Sequence, residues 1–144
     1  MRHSISGRSS AAATSTLPAV SLYSSATFGI KIREIGIFNT TAVAFVATIR
    51  RLSTAGTQGA GLTEANYDEA SPAQGTGFDA HTGTPPTAGG TFRQAVVGGV
   101  IGSGLIFTFG DSGLIIPAGT ANGIGILCGT GTGQVFDYYI DWDE

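Results

Sequence analysis

The segment from Phe109 to Leu114 reads FGDSGL, and its GDSG core is typical of the nucleophilic serine in serine hydrolases. A chymotrypsin-like protease needs a histidine, an aspartate and the serine in that chain order, with the histidine as general base and the aspartate orienting it. The chain has only His3 and His81, and the single carboxylate between His81 and Ser112 is Asp111. Asp111 cannot both flank the serine and reach behind the imidazole, so this triad cannot be built.

Two other hydrolase patterns are missing around Ser112. A GDSL-type esterase needs a histidine near the C-terminus with an aspartate three residues before it, and no histidine follows His81. The nucleophile-elbow pattern GxSxG is also absent. Asp-Ser-Gly between two apolar segments is common turn chemistry. We therefore predict that Ser112 lies in a hairpin turn, that the chain has no catalytic residues, and that it is not an enzyme.

Other residues with potential chemistry lack the spacing that a cofactor requires. The segment Gly98–Gly104 has neither GxGxxG spacing nor a following GK[ST], so it does not predict nucleotide binding. Cys128 is the only cysteine, which excludes an internal disulfide and a Cys/His zinc site, and we expect it in the core. His81 lies in a Gly/Thr/Pro segment with no second ligand, and we expect it to be solvated. No cofactor is predicted.

Four of the ten carboxylates lie in the last eight residues, namely Asp137, Asp141, Asp143 and Glu144. Carboxylate oxygens suit calcium, so a calcium site is one interpretation of this cluster. However, EF-hand spacing is absent, and alternation places the three aspartates on the solvent face of one strand. We favour a solvated acidic face over a metal site.

The composition indicates a protein that contacts neighbours. Charged residues make up only 12% of the 144 residues, the net charge is -3, and 23 residues are glycine. Such a chain has weak long-range repulsion against self-association. The seven basic residues are one lysine and six arginines scattered along the chain. They form no basic stripe that could bind phosphates, so we expect no nucleic-acid partner. No segment approaches the roughly 18 apolar residues of a membrane span, and no secretion signal is evident, so we expect a soluble, unexported chain without a membrane partner.

Short alternating segments predict an all-β protein. Residues Thr27–Phe38 alternate apolar and charged side chains and shift parity at Glu34, which predicts a bulge or a change of sheet. Asn39–Thr41 is a turn signal, and Ala42–Leu52 reads as the returning strand, so the two segments are predicted to form a hairpin.

Further strands are predicted at residues 92–101, 104–109, 113–116, 123–128 and 134–142. Asn122–Gly123 predicts a tight hairpin turn. In the last strand one face carries Phe136, Tyr138, Ile140 and Trp142, and the other carries Asp137, Tyr139, Asp141 and Asp143. Seven or eight short strands with glycine-rich turns predict a β-sandwich of jelly-roll type over residues 18–144.

Two segments are predicted to bind partners. Residues 1–17 have almost no large apolar side chain and cannot by themselves offset the entropy of ordering. We predict an extended N-terminal arm outside the core that binds a neighbouring subunit through Arg2 and Arg8. The loop at 53–91 is long for a compact domain. Its large apolar residues are expected to pin it to the domain or to another subunit: Leu62, Tyr67 and Phe78.

Three segments resemble small structural proteins of tailed-bacteriophage virions. They are EIGIFNTT at 34–41, FTFGDSGLIIPAGTANGIGIL at 107–127 and GTGQVFDYYIDWDE at 131–144. The resemblance covers roughly residues 29–144. It implies a β-sandwich in the virion, on the capsid as a decoration or cement protein or in the tail, and it brings no catalytic residues.

We therefore expect a structural protein that binds the outside of a phage capsid as a homo-oligomer, a trimer, with the major capsid protein or other virion proteins as partners. A tail or fibre protein is an alternative, because the same sandwich and the same weakly charged surface would suit it. A carbohydrate-binding module on the virion shares the sandwich and exposed aromatic residues. Fold alone does not separate these functions. High copy number in the particle would indicate the capsid, and a groove lined by exposed aromatic residues would indicate the carbohydrate-binding module.

Overall fold

Short segments of branched and aromatic residues, separated by glycine-rich turns, form strands along the whole chain. The computed structural model describes all 144 residues. It contains eleven strands: β1 (Arg2–Arg8), β2 (Val20–Tyr23), β3 (Ile30–Asn39), β4 (Phe45–Leu52), β5 (Ala65–Asn66), β6 (Thr76–Asp79), β7 (Ala88–Val97), β8 (Gly104–Thr108), β9 (Leu114–Ile116), β10 (Gly123–Cys128) and β11 (Phe136–Asp143). The chain has no helix, and hence no helical segment that could cross a membrane.

The strands form two sheets that pack against each other. Sheet I has the order β5-β1-β11-β3-β8, with β9 also paired to β3. Sheet II has the order β6-β2-β10-β4-β7. Every pairing is antiparallel. The predicted all-β sandwich is confirmed.

The alternation of β11 divides this strand between the core and the surface. Its buried residues are the predicted ones, Phe136, Tyr138, Ile140 and Trp142. They join the inward residues of both sheets in one apolar cluster of 21 buried residues, which includes Cys128. The predicted core face of the last strand and the predicted burial of Cys128 are both confirmed.

The parity shift in β3 is a β-bulge. Asp141 of β11 pairs with Glu34, whereas the next residue, Trp142, pairs with Ile32, so Arg33 is the extra residue. The bulge allows Ile32 and Ile35 both to face the core, three positions apart. A strand without the bulge would place one of them in solvent.

The predicted hairpin between β3 and β4 is wrong. The two strands lie in different sheets, β3 beside β11 and β4 between β10 and β7, so their connection crosses the sandwich. Each strand does present one apolar face, as predicted. That pattern is the same whether two strands pair side by side or face each other across the core.

The predicted hairpin turn at Asn122–Gly123 is wrong for the same reason, because β9 lies in sheet I and β10 lies in sheet II. The positive backbone angle of this connection is at Gly119, with φ of 132°. The N–H of Asn122 donates to the carbonyl of Gly119 at 2.8 Å and closes the turn there.

The N-terminal residues are not an arm outside the core. Strand β1 pairs with β11 along its whole length, from Arg2 opposite Asp143 to Arg8 opposite Asp137. Ile5 is 1% exposed and belongs to the main core cluster, as does Ala13. Backbone hydrogen bonds to β11 order this segment. The prediction considered only the apolar side chains of the segment, and these do not reflect the backbone hydrogen bonds. The prediction of a separate arm is therefore corrected.

The long segment after β4 covers the outer face of sheet II. It contains β5, β6 and the start of β7, and is therefore not the structureless loop expected at 53–91. Phe78 and Ala88 pack against Tyr23, Leu52 and Leu127, which form a second, smaller apolar cluster. The Tyr23 hydroxyl donates to the carbonyl of Thr54 at 3.0 Å.

Replacing Ile5→Ala should lower the free energy of unfolding by about 2–5 kcal/mol, because it leaves a cavity in the core beside β11. Ser6→Ala, on the exposed side of the same strand, should change it by less than about 0.5 kcal/mol. Urea unfolding of both variants measures the difference. Equal stability of the two variants would contradict the position of β1 in the sandwich.

Candidate interaction surfaces

Ser112 lies in the connection between β8 and β9, which both pair with the same side of β3. Because these two strands lie end to end along β3, the connection is an outward loop opposite the β3 bulge, and the predicted hairpin turn is wrong. Gly110 and Gly113 have φ of 65° and 64°, and the N–H of Gly113 donates to the carbonyl of Gly110 at 3.2 Å. Arg33, the bulge residue, donates to the carbonyls of Gly110 and Asp111. The GDSG segment is thus an exposed turn held by a neighbouring arginine.

Both histidines make contacts away from Ser112. His3 lies on β1, three strand spacings from β9, which is about 14 Å. Its Nδ1 lies 2.8 Å from Oδ1 of Asn66. His81 lies against the outer face of sheet II, where its Nε2 is 2.8 Å from Oγ of Ser21.

The prediction that His81 is solvated is wrong. It is 4% exposed, its Nδ1 has no hydrogen-bond partner, and burial lowers its pKa. Residues Ala80 and His81 donate their backbone N–H groups to the carbonyls of Ala19 and Pro18, which brings the imidazole onto Ser21. This serine–histidine contact joins residues 60 positions apart, so no local pattern predicts it. Both side chains are buried, and Ser21 is not accessible to a substrate.

The carboxylates of the last strand each have their own partners. Asp137 accepts two hydrogen bonds from Arg8, at 2.7 and 3.1 Å, which lower its pKa. Burial by itself raises the pKa of Asp143, but hydrogen bonds from Arg2 and Arg33 outweigh it, and the pKa is lowered.

The other two carboxylates bind groups of the chain itself. Asp141 accepts from the Tyr67 hydroxyl at 3.4 Å. Glu144 accepts from the Trp142 indole at 2.9 Å and from the backbone of residues 74 and 75. The structure brings no three of the chain's histidine, cysteine and carboxylate side chains together as a possible metal site.

The residues predicted to bind partners lie in different environments. Arg2 and Arg8 form ion pairs within the chain, while their side chains are 44% and 64% exposed. Leu62 packs against the main core, and Phe78 packs edge to face on Tyr23, with ring centroids 6.0 Å apart. Both therefore pin the long segment to the domain. Tyr67 is 63% exposed and remains on the surface.

The connections at one end of the sandwich contain no charged residue. Four connections meet there, and none contains a charged residue: residues 9–19, 40–44, 98–103 and 129–135. A backbone bridge joins Thr14 to Thr132, and the Thr41 hydroxyl donates to Oε1 of Gln134 at 3.0 Å. We call these four connections the uncharged end.

Three branched aliphatic side chains project from the uncharged end. Val43, Val100 and Ile101 are 55%, 68% and 71% exposed. The sequence had indicated only a glycine-rich segment at 98–104 and a turn at 39–41. The absence of charge in four separate connections could have been read from the sequence, but only the fold shows that they lie together.

Asn39 holds two of these connections together. It is buried, and its Nδ2 donates to the carbonyls of Val43 at 2.8 Å and Gly98 at 2.9 Å. Its backbone also exchanges hydrogen bonds with Ser103 and Gly102. The amide of Asn39 thus fixes the position of the aliphatic side chains of the uncharged end.

A second distinctive surface is the outer face of sheet I. Phe38 and Tyr139 lie next to each other on it, with ring centroids 6.4 Å apart and an angle of 25° between the rings. Tyr67 and Ile106 are exposed on the same face. Burial and a hydrogen bond to Glu34 raise the pKa of Tyr139, and the charge of Asp141 raises that of Tyr67. We call Phe38, Tyr67, Ile106 and Tyr139 the aromatic face.

A cleft of about 330 Å³ lies at the other end of the sandwich, lined by Met1, Phe28 and the segment 70–74. His3 and Glu144 form its inner wall, with 4.0 Å between His3 Nε2 and Glu144 Oε2. Glu144 accepts hydrogen bonds from the backbone N–H groups of Gln74 and Gly75, so its carboxylate holds this segment in place.

A comparison of the chain with known protein families, with curated proteins and with solved structures found no match.

Asn39→Ala should lower the free energy of unfolding by about 1–3 kcal/mol, because it removes two hydrogen bonds that a buried side chain donates to the carbonyls of Val43 and Gly98. Thr120→Ala, an exposed change at the opposite end, should stay within about 0.5 kcal/mol of the parent. Thermal and urea unfolding measure both. A loss no larger for Asn39→Ala than for Thr120→Ala would show that the two hydrogen bonds donated by Asn39 do not stabilise the fold.

Stability should fall as the pH is lowered from about 7.5 to 5.5, because the unfolded chain takes up a proton at His81 near its ordinary pKa of about 6.5 while the folded chain resists it. His81→Gln removes the titrating group and can keep the contact to Ser21. The melting temperature of the variant should therefore depend less on pH in this range. An unchanged pH profile would contradict the neutral, buried state of His81.

Proposed function

We propose that the protein is a structural protein of a phage virion that binds the outer capsid surface as a homotrimer and reinforces the shell. The uncharged end is the observation that carries this proposal. The virion location is supported by the resemblance of residues 34–41, 107–127 and 131–144 to virion proteins. Tail and fibre positions are the alternative within the same particle.

The physical chemistry of the uncharged end suits a permanent protein contact. Val43, Val100 and Ile101 are largely exposed in the single chain, and full burial of one such side chain contributes about 1.5–3 kcal/mol. The four connections themselves bring no charged group that would have to be desolvated on docking, which lowers a major cost of burying them. Three linked copies that dock together would gain further through effective concentration.

We also infer that the sandwich is of jelly-roll type. Eight strands divide equally, with β1, β11, β3 and β8 adjacent in sheet I and β2, β10, β4 and β7 adjacent in sheet II. Four connections cross between the sheets at the uncharged end: β1–β2, β3–β4, β7–β8 and β10–β11. This alternation is what two interlocked Greek keys require, and double-sheet jelly rolls are common in viral capsid and lectin domains.

The strand edges support contacts through faces and ends. At the edge formed by β7 and β8, Arg93 donates to the carbonyl of Thr108 at 3.2 Å and lies 4.8 Å from the ring centroid of Phe109. Nearby, Arg51 lies 5.3 Å from the ring centroid of Phe92. Charges that point inward at an edge oppose strand addition by another chain.

The opposite side of the sandwich is also protected. Its edge strands β5 and β6 have only two and four residues. Gly61 forms a backbone bridge to Phe78 and covers β6. These protected edges support a proposal in which oligomer and capsid contacts use the ends and faces of the sandwich.

The double variant V100D/I101D should lose retention on particles, because two carboxylates would have to be desolvated at the docking surface. The matched variant T120D/A121D adds the same charges to exposed positions at the opposite end and should be retained like the parent. Retention is measured by quantitative gel analysis of purified particles after incubation with each protein. Equal retention of the two variants would exclude the uncharged end as the docking surface.

Copy number and mass test the remaining parts of the proposal. A capsid protein should be present in hundreds of copies relative to the major capsid protein, whereas a few copies would indicate the tail. Light scattering of the purified protein should give the mass of a trimer. Absence of the protein from purified virions would overturn the proposed function.

A further inference from the structure

We propose that the aromatic face binds a neutral oligosaccharide built from hexopyranose rings. This surface is separate from the uncharged end and goes beyond the structural role, so either proposal can fail without the other. The inference rests on how the rings lie on the sheet and on which polar atoms surround them.

The rings of Tyr139 and Phe38 lie flat on sheet I because glycine occupies the neighbouring cross-strand positions. Tyr139 pairs with Gly36 and Phe38 pairs with Gly104. A Cβ atom at either glycine would overlap the aromatic ring beside it. Each ring therefore covers a glycine backbone and remains partly exposed on the outer face of the sheet.

Two further side chains extend this surface. Tyr67 reaches over β1 from the sheet edge, and the hydrogen bond of its hydroxyl to Asp141 at 3.4 Å orients its ring. Ile106 stands on β8 opposite Gly36. The aromatic face thus spans β1, β11, β3 and β8, three strand spacings or about 14 Å. An extended oligosaccharide fits a surface of this width, whereas a single small molecule would leave most of it open.

The polar atoms within the aromatic face are mainly acceptors. Glu34 uses Oε1 for the Tyr139 hydroxyl, and Asp141 uses Oδ2 for the Tyr67 hydroxyl, so each keeps a second carboxylate oxygen free. The hydroxyls of Ser4 and Ser6 lie on the neighbouring strand, opposite Asp141 and Tyr139. Sugar hydroxyls can donate to these carboxylates, while the C–H face of a pyranose meets the electron-rich face of an aromatic ring.

The charges on this face favour a neutral ligand. Four cations and four carboxylates lie on the outer face of sheet I, so its net formal charge is zero, and the two central carboxylates, Glu34 and Asp141, form no ion pair. Uronic or sulfated sugars and the phosphates of single-stranded nucleic acid gain no net electrostatic attraction from a face with balanced charges. An apolar protein surface would have to desolvate both central carboxylates, which opposes burial. A hydroxyl-rich, uncharged oligosaccharide needs no net electrostatic attraction, and its hydroxyls can donate hydrogen bonds to these carboxylates.

Isothermal titration of the full chain with neutral gluco-, galacto- and manno-hexasaccharides tests the proposal, with oligogalacturonate and heparin fragments as acidic probes. At least one neutral hexasaccharide should bind with a Kd below about 1 mM, and the acidic probes should not bind. Tyr67→Ala should lower that affinity about tenfold, because it removes one stacking ring from an exposed position. Ser6→Lys should abolish binding by placing a long cationic side chain beside Tyr139.

Phe28→Ala is the matched control, since Phe28 is a 55% exposed aromatic residue outside the aromatic face. Its affinity should equal that of the parent. The proposal is overturned if no neutral hexasaccharide binds, if only acidic probes bind, or if Tyr67→Ala and Phe28→Ala change the affinity equally. Unchanged melting temperatures of Tyr67→Ala and Ser6→Lys would show that lost binding is not lost folding.

Discussion

The two-residue alternation of β11, in the middle of sheet I, is the constraint on which the other features depend. Its inward side chains, ending at Trp142, fill the core between the sheets. Its outward side chains include Tyr139 and the aspartates that pair with Arg2, Arg8 and Arg33. A slip of one residue in its pairing would exchange these two sets, placing aspartates in the core and aromatic rings in water. The bulge at Arg33 lets the apolar residues of β3 before and after it face the core beside the inward residues of β11.

Charge is distributed very unevenly over the sandwich. Eight charged residues lie on the outer face of sheet I: Arg2, Arg8, Lys31, Arg33, Glu34, Asp137, Asp141 and Asp143. The four connections of the uncharged end have none. A chain with so few charges therefore has two chemically different surfaces. One is formed by connections that contain no charged residue, and the other offers hydrogen-bond acceptors beside flat aromatic rings.

The two sheets differ in how their outer faces are used. The segment after β4 covers sheet II, burying Tyr23, Leu52 and Leu127 on that side and enclosing His81 against Ser21. Sheet I has no such cover, and its outer face remains available. The long segment therefore covers and stabilises the outer face of sheet II, while its Tyr67 lies on the uncovered outer face of sheet I. At the uncharged end, Asn39 joins two connections by donating hydrogen bonds to a backbone carbonyl of each.

Local alternation in the sequence was enough to determine the all-β class, the two faces of β11 and the shift of parity in β3, although only the structure shows that this shift is a bulge and not a change of sheet. These features depend only on whether each side chain faces the core, which the order of apolar and polar residues records directly. It could not determine which strands pair, because two consecutive strands show the same pattern when they lie side by side and when they face each other across the core. For this reason the pattern of β3 and β4 predicts a hairpin that the fold does not contain. The tertiary structure also decided the place of β1, since its order comes from backbone hydrogen bonds to β11, a strand more than a hundred residues away in sequence. The aromatic face depends on the same long-range pairing, because only the register of β11, β3 and β8 places Tyr139 and Phe38 over glycine.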